Sequence, residues 1–266
     1  MTPTPLIFAA TCDIAGKVRG KAFPADQLDR RLSRGVGWVP TNVQITCFDE
    51  IADSPFGSLG DLLLVPDPNA EVKVALPGDR TEHFMLGDIV TLDGAPWEFC
   101  TRALLRTALD RLHTLSGARL FAAFEHEFQL KGDALPNQGF GRAAFEQQRP
   151  FLAGLIGALA EAGLDPDSIM KEYGSNQFEV VTAPALGHAS ADQATILREL
   201  TRSVARAFGE EATFCPILDT ASVGNGVHIH FSFQNDDGAP LTYDSEAPHG
   251  MSKLCLLYTS PSPRDA

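Results

Sequence analysis

The sequence places two glutamates, Glu125 and Glu127, inside the apolar stretch AAFEHEFQL, residues 122–130. On a β-strand, residues two apart point to the same face and lie roughly 6.5–7 Å from each other. The opposite face of such a strand would carry apolar side chains, namely Leu120, Ala122, Phe124, Phe128 and Leu130. Neighbouring like charges on a largely buried strand are costly unless a cation compensates them. The stretch therefore predicts a strand whose polar face binds a cation.

Composition limits the kinds of partner that the protein is expected to bind. The chain has 266 residues, of which 44% are hydrophobic, and a formal net charge of −13, and its 21 basic residues form no cluster in the sequence. Nucleic acids and anionic membranes both require a positive surface, so neither is expected to bind. The five cysteines form no C-x-x-C pair, and we find no signal peptide and no apolar run long enough to cross a membrane. We therefore expect a cytoplasmic protein.

The pattern along the chain changes near residue 98. The first part reads as short strands and turns, and its apolar run LGDLLLVPDP is predicted to stop at the two prolines. Later segments show helical periodicity over residues 97–117, 149–164 and 190–211, with Pro150 predicted in the first turn of the second helix. The fold class predicted is α+β, with a small β domain over residues 1–98 and a second domain over residues 99–253.

A second pair of carboxylates lies in KEYGSNQFEVVTA, residues 171–183. If Ser175 and Asn176 form a two-residue turn, Glu172 lies directly opposite Glu179 on one face of a hairpin, and the two require a shared cation. The alternative is a longer turn with a different register, in which both glutamates are solvated.

A third segment, SVGNGVHIHFSFQ, spans residues 222–234 and alternates strictly between apolar and polar side chains. The apolar face carries Val227, Ile229, Phe231 and Phe233. The other face carries His228, His230, Ser232 and Gln234. Gly224 and Gly226 precede the strand and leave room for a ligand near the backbone. Two imidazoles on one face favour a binding site over a structural role.

Taken together, these segments offer four carboxylates and one imidazole. The candidate metal ligands are Glu125, Glu127, Glu172, Glu179 and His228. Such a set suits Mg²⁺ or Mn²⁺ better than zinc, which favours thiolate and imidazole ligands. Several hard cations in a carboxylate cluster commonly neutralise a polyphosphate during phosphoryl transfer.

The same three segments resemble motifs of the glutamine synthetase family, in the family's order. FEHEFQL resembles its Glu-x-Glu-Phe strand, EYGSNQFEV its hairpin with two glutamates, and GNGVHIHFSF its His-x-His strand. The N-terminal DIAGKVRGKAFP and GDLLLVPDP are similar to the β-grasp domain of the branch that contains γ-glutamyl-polyamine ligases. The resemblance covers about residues 8 to 250.

The resemblance implies an ATP-dependent ligase that phosphorylates the side-chain carboxylate of glutamate, after which ammonia or an organic amine displaces the phosphate. It assigns Glu127, Glu172 and Glu179 to one Mg²⁺ or Mn²⁺ ion beside the glutamate substrate, and Glu125 and His228 to a second ion at the ATP phosphates. His230 and Ser232 match nucleotide contacts, and Gly224, with Glu127, matches substrate contacts. The family assembles into stacked rings, with each active site between two subunits.

The sequence also departs from the family pattern. Val223 stands where an asparagine that contacts substrate is common, and the family's ammonium-binding element has only Asp49 as a weak counterpart. Those departures leave an organic amine open as the acceptor. The flap glutamate and the phosphate-binding arginines of the family have no match, so no catalytic residue is assigned. Residues 254–266 read as a non-family tail, from an artefact or a disordered segment, and we expect this truncated chain to be inactive.

Three other functions compete with the ligase. A metal-dependent hydrolase of the barrel type would carry its His-x-His pair early in the chain and further ligands after it, and only His249 follows here. A cupin would need a glutamate shortly after His230, which FSFQNDDG does not supply. The non-enzymatic alternative is a regulator or filament subunit of the same family with a degraded site.

Overall fold

The computed structural model describes residues 4–57, 59–132 and 139–258. The strands are β1 (Leu6–Cys12), β2 (Val18–Pro24), β3 (Val36–Trp38), β4 (Leu62–Leu76), β5 (Arg80–Val90), β6 (Arg119–Lys131), β7 (Pro166–Lys171), β8 (Gln177–Thr182), β9 (Ala185–Leu186), β10 (Glu211–Thr213) and β11 (Val227–Gln234). The helices are α1 (Leu28–Arg34), α2 (Thr101–Ser116), α3 (Arg142–Glu161), α4 (Ala189–Ala207) and α5 (Lys253–Tyr258). The predicted tail therefore begins within α5, and its residues 259–266 lie outside the described residues.

The first five strands form one sheet in the order β2-β1-β5-β4-β3, in which only β1 and β5 run parallel. The prediction that β4 stops at its prolines is wrong, because the strand runs through Pro66 and Pro68 to Leu76. Its pairing with β5 shifts register between Pro66 and Glu71. An irregularity of this kind accommodates residues that cannot donate a ladder hydrogen bond.

A second sheet has the order β10-β6-β8-β7, and β9 and β11 also pair with β6. Helices α3 and α4 pack between the two sheets, so that Val72 and Val74 of β4 share one core with Phe128 of β6 and with Leu152 and Leu197 of the helices. The polar face of β6 is thereby turned away from the helices.

Helix α3 differs from its prediction at the N-terminus. It begins at Arg142, so that Pro150 lies inside the helix and not in its first turn. Pro150 is exposed, and the more N-terminal part of the helix buries Ala144 against the core. Tertiary packing therefore outweighs the local penalty for proline.

An arginine at the start of α2 joins the two parts of the chain. Its guanidinium nitrogens lie 2.7 Å from Asp67 of β4, 3.2 Å from Asp88 of β5 and 2.7 Å from Asp192 of α4. The arginine is Arg102, and its side chain is only 9% exposed. Since Asp67 and Asp88 belong to the first sheet and Asp192 belongs to α4, Arg102 fixes the first sheet relative to α4.

Among the described strands, β11 pairs only with β6, and its other edge makes a single isolated bridge, between Gln234 and Pro240. The sequence predicts an apolar face for this strand, yet Val227, Ile229 and Phe231 are 53%, 55% and 41% exposed. In the described part of the chain no helix covers this face.

Among the helices described, none is long and apolar enough to cross a membrane.

Candidate metal and nucleotide site

Strand register brings the first predicted ligands together. In the antiparallel pair of β6 and β11, His228 lies directly opposite Glu125. The distance between His228 Nδ1 and Glu125 Oε2 is 3.3 Å, and that between His230 Nε2 and Glu125 Oε1 is 3.1 Å. The two imidazoles therefore contact the two oxygens of one carboxylate.

The other edge of β6 adds a further carboxylate. Glu179 of β8 lies directly opposite Glu127. Ligand atoms of Glu125, Glu179 and His228 all lie within 4.8 Å of one another, and these three residues come from three strands. Carboxylate oxygens with a single imidazole form a ligand set that fits a hard divalent cation.

The electrostatic surroundings of Glu179 favour a cation as well. Burial raises the pKa of Glu179, and the negative charges of Glu125, Glu172 and Glu127 raise it further, while His228 opposes them. The cost of ionising Glu179 is thus a cost of desolvation and like-charge repulsion, and both are relieved by a bound divalent ion.

The hairpin that carries Glu172 has a different register from the one that a two-residue turn would give. Met170 lies opposite Glu179, and the backbone N–H of Glu172 donates to Gln177 O at 2.9 Å, so that four residues form the turn instead of two. The longer turn, left open by the sequence as the alternative, is therefore the one observed, and Glu172 does not lie directly opposite Glu179. The shift amounts to two residues along the strand, and side chains alternate with a period of two. Glu172 consequently stays on the face of Glu179, and its charge still acts on that carboxylate.

A buried amide holds Glu127. Gln177 is 1% exposed, and its Nε2 lies 2.7 Å from Glu127 Oε2, 2.8 Å from Gly224 O and 3.1 Å from Asn225 Oδ1. Its Oε1 accepts a hydrogen bond from Gly174 N at 2.7 Å. The sequence shows this glutamine within a motif but gives it no role, because its partners come from three separate segments.

The loop before β11 passes close to Glu127. A Cβ atom added to Gly226 would lie 2.9 Å from Glu127 Oε1, and one added to Gly224 would lie 2.4 Å from Pro216 O. Only glycine fits these two positions without displacement of a neighbour. Gly224, the predicted substrate contact, therefore lies against Pro216 and is held through its carbonyl by Gln177.

A cavity of about 480 Å³ opens beside Glu125. His230 and Ser232, the predicted nucleotide contacts, both line it, together with Asp167, Thr182 and Phe231. Its size lies in the range of small-molecule pockets. Glu125 thus adjoins the predicted nucleotide contacts and is also grouped with Glu179 and His228, whereas Glu127 and Glu172 lie outside that 4.8 Å group.

One histidine of this region was not predicted to have a role. His126 lies on the apolar face of β6 between Phe124 and Phe128, is 3% exposed, and packs against the rings of Phe124 and Phe214. Burial and then the positive charge of Arg198 lower the pKa of His126 to about 4. A neutral core histidine of this kind does not belong to the polar face.

Asp49, the weak counterpart of an ammonium-binding residue, is engaged elsewhere. Its carboxylate lies 2.8 Å from Lys17 Nζ and 2.9 Å from Arg19 Nη2. The same Arg19 contacts the buried Asp13 through Nε at 2.5 Å. Within this structure Asp49 is therefore part of an ion-pair cluster on the first sheet and is not grouped with the acidic residues of β6 and β8.

Two family sequence profiles match the chain over residues 1–260. The sequence profile described as "Glutamine synthetase, catalytic domain" matches residues 98–260, and that described as "Glutamine synthetase N-terminal domain" matches residues 1–97. The chain belongs to the glutamine synthetase family. The resemblance seen in the sequence and the α+β fold class are thereby confirmed, and the catalytic profile extends a few residues past the predicted boundary at 253.

Individual members of the glutamine synthetase family give the same result. The chain is 32% identical over 259 residues to "Gamma-glutamylpolyamine synthetase GlnA3" of Streptomyces coelicolor, covering 92% of this chain and 54% of that protein. It is 28% identical over 276 residues to "Type-1 glutamine synthetase 1" of Dictyostelium discoideum, covering 93% and 55%. A solved structure described as "Crystal structure of novel glutamine synthase homolog" matches with a TM-score of 0.90 at 41% identity, covering 96% of this chain and 61% of that one. The chain thus spans about half the length of the curated relatives it matches.

Proposed function

We propose that this chain is the N-terminal part of an ATP-dependent carboxylate–amine ligase that joins glutamate to ammonia or an organic amine through γ-glutamyl phosphate. The observation that carries the proposal is the convergence of Glu125, Glu179 and His228 within 4.8 Å, in a chain of the glutamine synthetase family. The similarity to a γ-glutamylpolyamine synthetase favours an organic amine as the acceptor.

The proposed roles divide the polar face between two divalent ions. Glu127, Glu172 and Glu179 would hold the ion nearer the glutamate substrate, and Glu125 and His228 would hold the ion nearer the nucleotide. When bound, such ions neutralise the phosphate oxygens during transfer. The cross-strand pairing of Glu127 with Glu179, and of Glu125 with His228, supports this division. Glu179, whose ligand atom also lies within 4.8 Å of those of Glu125 and His228, would then lie between the two ions.

The chain's own residues would position these ligands. Gln177 would fix one oxygen of Glu127 and leave the other for the ion, since its Nε2 contacts Oε2 only. His230 and Ser232 would contact the nucleotide in the cavity beside Glu125. Gly224 would lie at the substrate, on a loop whose path is fixed by its bond to Gln177.

The same proposal includes assembly into rings in which a neighbouring subunit completes the site, and a location in the cytoplasm. Both come from the family resemblance and from composition. Gel filtration combined with light scattering on the full-length protein would test the assembly.

Titration of the 266-residue chain with Mn²⁺ by isothermal calorimetry tests the metal site. We expect weaker binding of fewer ions by the double variant Glu172→Gln, Glu179→Gln, which keeps Glu125 and His228 for the second ion. Binding should be retained in Glu146→Gln, which removes a carboxylate from α3 away from the polar face. Equal binding by the double variant and the native chain would contradict the metal site and favour a regulator or filament subunit.

The reaction itself requires the full-length protein. Phosphate release from ATP in the presence of glutamate would be compared among ammonia, ethylamine, ethanolamine and putrescine. We expect release that depends on both glutamate and an amine. Release that is independent of both would contradict the ligase. The same assay on the 266-residue chain tests the expectation that it is inactive.

A further inference from the structure

A second charged cavity, of about 820 Å³, lies between α4, β10 and the turn that joins β1 to β2. Four cationic side chains line it, namely Lys17, Arg198, Arg202 and Arg206. Glu211 is the one carboxylate among the lining residues. An excess of positive charge on a chain with a net charge of −13 is a local feature that composition does not predict.

The arginines form a row. Residues 198, 202 and 206 are spaced by four along α4 and therefore share one face of the helix, with a rise of about 6 Å from each to the next. Each guanidinium is held in place by a neighbour. Arg198 Nη2 donates to Gly16 O at 2.7 Å, and Arg206 Nη2 donates to Ser203 Oγ at 2.8 Å. Arg202 pairs with Glu199.

The ring of Phe214 also restrains Arg198 and Arg202. The guanidinium carbons of Arg198 and Arg202 lie 5.7 Å and 5.1 Å from its centroid. Both cations thus contact a single aromatic ring, which restricts their rotamers before any ligand arrives. Pre-organised guanidinium groups lose less entropy when they bind an anion.

The positive charge of this row is only partly compensated. Lys17 is paired with Asp49, Glu211 with Lys131, and Arg202 with Glu199. In the described part of the chain, no carboxylate lies within ion-pair distance of Arg198 or Arg206. Burial lowers the pKa of Arg198 and the charge of Arg202 lowers it further, while Cys12, Glu199 and Asp13 oppose them. Both effects are costs of placing cations together away from water, and a bound anion would relieve them.

We propose that this cavity, which we call the arginine cleft, binds a phosphorylated small molecule through Arg198, Arg202 and Arg206. Guanidinium groups bind phosphate oxygens through paired charge-assisted hydrogen bonds, and a row extending over two helical turns suits an anion with more than one phosphate. The cleft shares no lining residue with the cavity beside Glu125. The site is therefore separate from the proposed ligase site and does not depend on it.

The test is calorimetric titration of the metal-free 266-residue chain, in EDTA and low salt, with inorganic pyrophosphate, inorganic phosphate and citrate. We expect pyrophosphate to bind more tightly than phosphate, and citrate to bind more weakly than pyrophosphate. Arg206→Gln should weaken pyrophosphate binding by about tenfold, the effect of losing one charge-assisted hydrogen bond. Arg206 is exposed, so this variant leaves the core unchanged.

Two control variants identify the site. Arg142→Gln on α3 removes the same charge from an exposed residue that pairs with Glu146, and it should bind pyrophosphate as the native chain does. The double variant Glu125→Gln, Glu179→Gln should also bind it unchanged.

Three outcomes would overturn the arginine cleft as a phosphate site: no binding of pyrophosphate, equal weakening by Arg142→Gln, or citrate binding as tight as pyrophosphate binding. Absence of Mn²⁺ binding by the native chain, with its pyrophosphate binding retained, would instead refute the proposed function and leave the cleft intact.

Discussion

The side-chain amide of Gln177 donates a hydrogen bond to the carboxylate of Glu127, with 2.7 Å between Nε2 and Oε2. The same nitrogen also lies within hydrogen-bond distance of Gly224 O and Asn225 Oδ1. Three segments that are far apart in the sequence, β6, the turn before β8 and the loop before β11, are therefore tied to one amide.

Replacement of Gln177 by leucine should weaken both folding and metal binding. The change leaves three half-buried acceptors without a donor and the buried N–H of Gly174 without an acceptor, which costs about 1–3 kcal/mol in the free energy of unfolding. It also frees Glu127, and loss of a residue that orients a metal ligand typically lowers affinity by about 10–100-fold. Urea denaturation and Mn²⁺ titration would measure the two effects. Gln147→Leu, at an exposed position of α3, is the matched control. Unchanged Mn²⁺ affinity in Gln177→Leu would contradict the positioning role.

A methyl group at position 226 should disturb the site more than the fold. In Gly226→Ala the new Cβ would lie 2.9 Å from Glu127 Oε1, and a carboxylate at the end of a flexible side chain moves more readily than backbone. We expect a fall in Mn²⁺ affinity of about tenfold, measured by calorimetry.

The control for this variant is Gly157→Ala. Position 157 lies in α3 and has no atom within 4 Å of an added Cβ. This change should raise the free energy of unfolding by about 0.5–1 kcal/mol, since alanine favours helix over glycine. It should leave Mn²⁺ binding unaltered. Similar affinities for the two alanine variants would show that Glu127 is not displaced.

Loss of Arg102 should destabilise the whole chain. Arg102→Met leaves the carboxylates of Asp67, Asp88 and Asp192 without their shared cation, and removal of one partner from a buried ion pair costs about 3–5 kcal/mol. Urea denaturation of the variant would give this value. Arg142→Met, at a solvent-exposed pair on α3, should change stability by less than about 0.5 kcal/mol. A cost as small as that of the control would refute the central role of Arg102.

Lowering the pH should remove part of the stabilisation by the Arg102 ion pairs, because Asp67 becomes protonated. Burial acts to raise the pKa of Asp67, but the hydrogen bonds and charge of Arg102, with the bond from Asn69, outweigh it and lower the pKa overall. A carboxyl group with a lowered folded-state pKa stabilises the fold above its unfolded value, and the stabilisation is lost as pH falls through the folded value.

The free energy of unfolding should therefore fall with pH below about pH 4, more steeply in the native chain than in Asp67→Asn. Denaturation curves between about pH 6 and pH 3 would measure the difference. Asp29→Asn, on exposed α1, should show the native slope. Parallel slopes for the native chain and Asp67→Asn would contradict the contribution of Asp67.

The exposed apolar face of β11 should cause self-association. Val227, Ile229 and Phe231 are each more than 40% exposed on a strand whose second edge is, among the described residues, unpaired except for one isolated bridge. Unpaired strand edges with apolar side chains promote aggregation. Ile229→Lys should lower the associated fraction at a given concentration, as measured by analytical ultracentrifugation. Ile14→Lys, at a residue that is 86% exposed outside β11, should not lower it. An equal effect of both variants would exclude β11 as the associating surface.

Periodicity predicted the shared face of Glu125 and Glu127, because alternation on a strand is a local property. It also predicted that His228 and His230 would share a face, and the structure places both within 3.3 Å of Glu125. The register between β6 and β11, which makes this contact, is set by tertiary packing and could not be read from either segment alone.

The features that the sequence did not predict also depend on tertiary packing. The apolar face of β6 includes His126, which alternation alone places there but which chemistry does not predict in a core. Pro150 lies inside α3 because packing of the earlier turns outweighs its local preference. The role of Gln177 depends on Gly224 and Asn225, nearly fifty residues away, which no local pattern connects to it.

The four-residue turn between β7 and β8 has a consequence for natural variation at this tip. Insertions or deletions within the tip, residues 173–176, would leave Glu172 paired with Gln177, whereas one residue added or removed between Met170 and Glu172 would move the carboxylate of Glu172 to the core side of the hairpin. Homologous chains that retain the glutamate should therefore vary in length within the tip and not between Met170 and Glu172.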